Sequence, residues 1–182
     1  AEKEIKAEGM AVAPGFINVL SWATQPLIID GRAMSDIKQG VTLEIMGEGR
    51  SMGPLNESMK IREKNRQSNI KYDIEWTTLG EYLDFIVEQG VSVNVASYVG
   101  ATTIRVHELG YEDRAPTSDE LERMKQLVRN AMREGALGVG SSLIYTPANF
   151  AETDELIALV GAATEYNGRY ISHLRSEANK LE

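Results

Sequence analysis

Two short stretches carry side chains able to do chemistry. Glu48 sits between two glycines, in Gly47-Glu48-Gly49, just after the apolar run Val41–Met46. His173 closes a second apolar run, Tyr170-Ile171-Ser172, with Arg175 and Glu177 directly behind it. Between them Ser141-Ser142 precedes Tyr145. Carboxylate, hydroxyl, phenol, imidazole and guanidinium are groups that move protons, ligate ions or grip carboxylates. On the residues alone each also has a plainer reading. His173 could be a hydrogen-bonded rim residue, Glu48 a solvated turn residue, Tyr145 packing, and Arg175 with Glu177 a surface ion pair. The other histidine, His107, reads as a surface residue in a polar loop, "TTIRVHELG".

These groups need elements to position them. "FINVLSW" (16–22) reads as a buried strand after Pro14-Gly15, and "VTLEIM" (41–46) as a second. A short helix over 33–39 lies between them, stopped by Gly40. Residues 55–76 are polar and weakly periodic, an excursion with about one helical turn near 57–66. Thr78 with Glu81 forms a capping box that opens a helix closed by Gly90, and 91–100 is a third strand. Thr117 with Glu120 caps the clearest helix, 118–134, whose apolar face carries Met124 and Val128. "ALGVG" (136–140) is a fourth strand, 153–166 a last helix, and "RYISH" (169–173) a fifth strand.

Alternating strands and helices with buried, non-alternating strands indicate α/β architecture with a parallel sheet. An open doubly wound sheet and part of a (β/α)8 barrel both satisfy this pattern. In either, ligands gather beyond the carboxyl ends of the strands, where Glu48, Tyr145, His173 and Arg175 fall. The whole of 1–182 reads as one domain, with 1–13 as a lead-in. A complete barrel takes about 250 residues, so five strands here would be a partial one.

Composition narrows the function classes. A net charge of −8 argues against a nucleic-acid partner. The absence of cysteine excludes disulfides and thiolate metal sites. "GEGRSMG" lacks the spacing of a phosphate loop. No segment is long and apolar enough for a membrane span or a signal-peptide core. The expected location is the cytoplasm, with an export signal ahead of residue 1 left open.

The stretches "APGFIN", "GVTLEIMGEGRSMGP", "NVASYVG", "PTSDELERMKQLVRNAMREGALGVGSSLIYTPANF" and "YISHLRSE" resemble D-aminoacylases (N-acyl-D-amino-acid deacylases) of the metal-dependent amidohydrolase superfamily. The resemblance is spread over most of 9–181. It is most specific over 116–177 and weak in 55–76. It implies a partial (β/α)8 barrel comprising about the first five βα units, and hydrolysis of the amide of a small N-acyl amino acid. It implies zinc as cofactor, with His173 matching the strand-five histidine ligand and Glu48 standing where many relatives carry a cysteine ligand. Zinc accepts carboxylate as well as thiolate. Tyr145 matches a substrate-facing tyrosine, Ser142 lies beside it, and Arg175 is expected to position the substrate carboxylate or hold the strand-end loop.

Two departures shape the expectation. The strand-one His-x-His of amidohydrolases is replaced by Leu20-Ser21-Trp22, so one zinc ion is expected rather than two. Ala101 stands where relatives often carry a histidine. A third ligand and an aspartate general base are expected beyond Glu182. This chain alone is therefore expected to hold zinc weakly and to be inactive. Its exposed sheet edges are expected to favour self-association. The rival reading is a catalytically inactive amidohydrolase-like binding domain.

Overall fold

The computed structural model describes residues 4–178. In chain order the elements are β1 (Phe16–Asn18), α1 (Thr24–Ile29), α2 (Met34–Ile37), β2 (Val41–Met46), α3 (Glu57–Arg66), α4 (Leu79–Gln89), β3 (Asn94–Ser97), β4 (Val99–Gly100), α5 (Ala101–Leu109), α6 (Ser118–Arg133), β5 (Gly138–Ser142), a 3-10 turn (Ala148–Phe150), α7 (Thr153–Thr164) and β6 (Arg169–His173). All strand pairs are parallel, in the orders β1-β2-β3 and β4-β5-β6. Spatial order follows chain order, without the reversal that defines a doubly wound sheet. This is the winding of a barrel, and among the described residues the barrel is not closed.

The expected third strand is interrupted at Tyr98. Its N–H donates to the Met46 carbonyl (2.8 Å), while the Ser97 carbonyl accepts from Leu137 N–H (2.9 Å). The break hands the ladder from β2 to β5 and joins the two three-stranded sheets edge to edge.

The helices form because their ends and buried faces are specified. Thr78 with Glu81, and Thr117 with Glu120, make complete capping boxes. α6 buries Met124, Val128, Ala131 and Met132 at spacings of three and four. Trp76 is buried beneath α4, its indole N–H donating to the Met52 carbonyl (2.7 Å). The Tyr82 hydroxyl donates to the Thr24 carbonyl (2.9 Å), tying α4 to α1.

Several expectations are corrected. Residues 57–66 form a ten-residue helix capped by Asn56, whose side chain accepts from Met59 N–H. "TTIRVHELG" is not a polar loop but α5, almost wholly buried, and His107 is half-buried in its last turn beside Glu108 (3.1 Å). The first strand is short and not buried. Phe16 is 60% exposed, and Val19 and Leu20 are exposed after it. No strand pairs with the far side of β1 among the described residues, so its apolar side chains lack a second layer. The fourth strand runs two residues further than expected and includes Ser141 and Ser142.

Isolated in solution, residues 1–182 are expected to self-associate through this apolar edge. Light scattering that finds only monomer at high concentration would count against that.

The capping carboxylates also set an acid limit. The Thr78 and Thr77 N–H groups hold Glu81 below the usual carboxylate range. The Arg114 guanidinium, then Thr117 N–H, does the same for Glu120. A depressed folded pKa contributes stability above the unfolded value, lost as pH falls through the folded one. The thermal midpoint should therefore drop as pH is lowered from about 5 to about 3. A flat profile there would show that these caps add little. Glu44 on β2 acts in the opposite sense. It is 1% exposed, accepts from Asn18 Nδ2 (3.0 Å), and burial pushes its pKa up.

Candidate functional site

Glu48 is placed by main chain. Gly47 and Gly49 both have positive φ, at +95° and +73°, a region that disfavours other residues. Their turn lies across β4 and β5. A Cβ on Gly100 would meet the Gly49 carbonyl oxygen at 2.4 Å, and one on Gly140 the Gly47 oxygen at 2.4 Å. Four glycines thus let a turn from β2 press on β4 and β5, carrying Glu48 to the far end of β5. There the Ser142 hydroxyl donates weakly to Glu48 Oε2 (3.4 Å).

β6 brings His173 to the same place. Its register sets His173 beside Ser142, and its carbonyl accepts from Leu143 N–H (3.1 Å) and the Ser172 hydroxyl (2.9 Å). His173 Nδ1 lies 3.7 Å from Glu48 Oε1. Their side chains are 23% and 10% exposed, so the pair is partly desolvated but reachable. On the other side of the ring, Nε2 is 3.1 Å from Glu177 Oε1. The Tyr145 ring is 5.6 Å from the imidazole at 59°.

Of the residues expected at the site, Glu48, Ser142, Tyr145 and His173 come together. Arg175 faces elsewhere. Its guanidinium donates to the carbonyls of Asn149 (3.4 Å) and Ala151 (2.5 Å), bracing the loop after β5. The surface pair of Arg175 with Glu177 does not form, because Glu177 turns to His173 instead.

The donor set meets part of what zinc requires. A separation of 3.7 Å is too long for a hydrogen bond and fits two oxygen and nitrogen donors that would each approach one ion to about 2 Å. Two ligands are one short of the usual three in a catalytic site. No group of three His, Cys, Asp or Glu able to hold a metal occurs among the described residues. The pair therefore fits two corners of a tetrahedron, and further ligands would have to come from outside these residues.

Glu177 has a defined part in that fit. A carboxylate accepting Nε2–H fixes the tautomer that leaves the Nδ1 lone pair facing Glu48. If the Glu48–His173 pair holds zinc in the full-length protein, Glu177→Gln should weaken that binding roughly 10–100-fold, as loss of such supports does. Competition with a chelator measures this, and unchanged affinity would remove Glu177 from the site.

The sequence reading missed a neighbouring cavity of about 330 Å³, which shares Glu48 as a wall. Arg50, Arg62 and Arg66 line it, with Trp22 and Tyr111. The signal lay in the arginine spacing of a segment read only as a polar excursion.

No protein-family model matches the chain. A D-aminoacylase of Alcaligenes xylosoxydans xylosoxydans is 29% identical over 185 residues, covering 100% of this chain and 37% of that enzyme. An N-acyl-D-aspartate deacylase of the same organism is 32% identical, covering 97% of this chain and 36% of its own length. The chain thus spans about a third of the length of the curated relatives it matches. Among solved structures, a D-aminoacylase described as defining a novel subset of amidohydrolases aligns with TM-score 0.77 and 28% identity. That alignment covers 90% of this chain and 35% of the other. An N-acyl-D-glutamate deacylase from Bordetella bronchiseptica, complexed with zinc and a phosphonate inhibitor, aligns with TM-score 0.77 and 25% identity. It covers 93% of this chain and 35% of that one.

Proposed function

From a chain homologous along its length to D-aminoacylases and N-acyl-D-amino-acid deacylases, we propose that the whole protein is a metal-dependent amidohydrolase acting on N-acyl-D-amino acids. The observation that carries this reading is the approach of Glu48 and His173, from β2 and β6, to 3.7 Å at one rim of the sheet. Glu48 and His173 would hold one zinc ion, joined by a ligand from outside the described residues. When bound, such an ion polarises an amide carbonyl and lowers the pKa of its water to about 7.

The remaining roles fall to this chain's own groups. Ser142 steadies the outer oxygen of Glu48. Glu177 keeps the His173 ring turned and its tautomer fixed. Tyr145 is 55% exposed beside His173, so its hydroxyl is free to donate to a substrate oxygen. Arg175 keeps the loop at 149–151 in place rather than touching substrate. The general base would come from outside these residues. Residues 1–182 on their own would bind zinc weakly and hydrolyse nothing measurable.

The test is hydrolysis of N-acetyl-D- and N-acetyl-L-amino acids by the full-length protein, before and after chelation and zinc restoration. Metal-dependent release of the D-amino acid supports the reading. A zinc-loaded protein without hydrolysis overturns it. The end of the first strand favours a second reading. Leu20-Ser21-Trp22 offers no imidazole, and an inactive binding domain would keep ligand affinity with Glu48→Ala harmless.

A further inference from the structure

The turn that carries Glu48 presses on β4 and β5 through glycine against glycine. Steric contact of that kind stops the turn moving inwards and does nothing to stop it moving away. The first turn of α5 supplies the missing restraint. A helix leaves its first N–H groups without partners of its own, and a side chain at the N-cap usually takes one of them. Gly100, the N-cap of α5, has no side chain to offer. Residues 49–51 do the capping instead. The Gly49 carbonyl accepts from Thr102 N–H (2.9 Å), and the Ser51 hydroxyl accepts from Gly100 N–H (3.0 Å).

The reverse link runs through one side chain. The Thr103 hydroxyl accepts from Ser51 N–H (2.8 Å) and donates to the Ser51 carbonyl (3.2 Å). One hydroxyl, donor and acceptor at once, thus satisfies both main-chain groups of the residue three beyond Glu48. Ser51 is 7% exposed and Thr103 4%, so both bonds are shielded from water. α5 itself is a fixed post. Two residues beyond Thr103, Arg105 ties the helix to Glu155 on α7 and to the carbonyls of Glu112 and Arg114. The Glu48 carboxylate has only its weak contact with Ser142 and its looser approach to His173, so it goes where the turn goes.

We propose that Thr103 is a positioning residue for Glu48, its hydroxyl holding the Ser51 main chain so that the carboxylate stays within reach of an ion shared with His173. It rests on the reading of Glu48 and His173 as metal ligands. Such groups need to be held to within about 0.5 Å, and a misplacement of about 1 Å can cost about 100-fold. Valine has nearly the shape of threonine and lacks the hydroxyl. In Thr103→Val both main-chain groups of Ser51 are left buried and unpaired, and the segment is driven to shift towards other partners. Serine keeps the hydroxyl and both bonds.

The experiment is zinc affinity of the full-length protein by competition with a chelator, read beside its denaturant midpoint. Thr103→Val should weaken zinc roughly 10–100-fold, and Thr103→Ser should stay within about threefold of the unmutated protein. Ile86→Val, a change at a fully buried core position on α4, should lower the midpoint and leave zinc affinity unchanged, because lost stability alone does not move Glu48. If Thr103→Val does not fold, Thr103→Ala takes its place with the same expectation. Unchanged affinity without the hydroxyl, a loss that serine does not restore, or an equal loss in Ile86→Val overturns the proposal. The two readings fail separately. Zinc binding that does not respond at Thr103 removes only the positioning role. An unmutated protein that binds no zinc removes Glu48 and His173 as ligands, and this role with them.

Discussion

On the proposed hydrolase reading, Glu48→Ala in the full-length protein should lower kcat/KM for an N-acyl-D-amino acid by on the order of a thousandfold, with bound zinc falling towards zero. Loss of a mere support for a metal ligand costs roughly 10–100-fold, and loss of a ligand should cost more. The fold should survive. Glu48 makes one weak hydrogen bond, 3.4 Å from Ser142, and its turn is held by packing of glycine backbone rather than by the carboxylate. Stability should change by under about 1 kcal/mol. Zinc stoichiometry by elemental analysis, measured alongside kinetics, separates the outcomes. A variant that keeps its zinc and its rate would remove Glu48 from the reaction centre.

The largest effect on stability is expected far from that rim, between α5 and α7. Arg105 and Glu155 are 1% and 4% exposed, and Arg105 Nη1 donates to Glu155 Oε2 at 2.5 Å. The same guanidinium donates through Nη2 to the carbonyls of Glu112 (3.1 Å) and Arg114 (2.6 Å), pinning the loop between α5 and α6. Glu155→Ala would strand a buried cation, a change that typically costs about 3–5 kcal/mol, out of a total stability of about 5–15 kcal/mol. Glu155→Gln should cost less because it keeps an acceptor. Replacing both residues with apolar ones of similar volume should recover much of the loss, since such exchanges are often close to neutral. Denaturant unfolding of the four proteins checks this. A Glu155→Ala loss below about 1 kcal/mol would show that the pair is not the brace it resembles.

What could be read from the sequence was what is local or periodic. The capping boxes at Thr78 and Thr117 involve residues three apart, and α6 carries an apolar stripe. α5 was missed because it is buried nearly all round, so "TTIRVHEL" shows no contrast between faces, and Gly100 gives it no side-chain cap. Arg105 fell within the stretch read as a polar loop, and its partner Glu155 lies fifty residues away, beyond the reach of local patterning. The apolar run at 16–22 suggested a buried strand, but β1 is short and exposed, because among the described residues no neighbour covers its far side.

The candidate site divides the same way. The chemical types of Glu48 and His173 at strand ends were visible. Their approach was not, because it depends on Gly100 and Gly140 leaving room for a turn from β2. The fates of Arg175 and Glu177 were also hidden. Adjacent opposite charges suggest a pair, yet Arg175 finds carbonyls 24 and 26 residues away and Glu177 finds the imidazole.

The glycine-to-glycine contact under Glu48 has an evolutionary corollary. Position 48 is a socket whose coordinates are dictated by backbone against backbone, so whatever side chain occupies it arrives at the same spot. On the proposed metal-binding role of Glu48, a lineage could therefore exchange a hard oxygen donor for a soft sulfur one there, and retune its preference among metals, without renegotiating the architecture beneath.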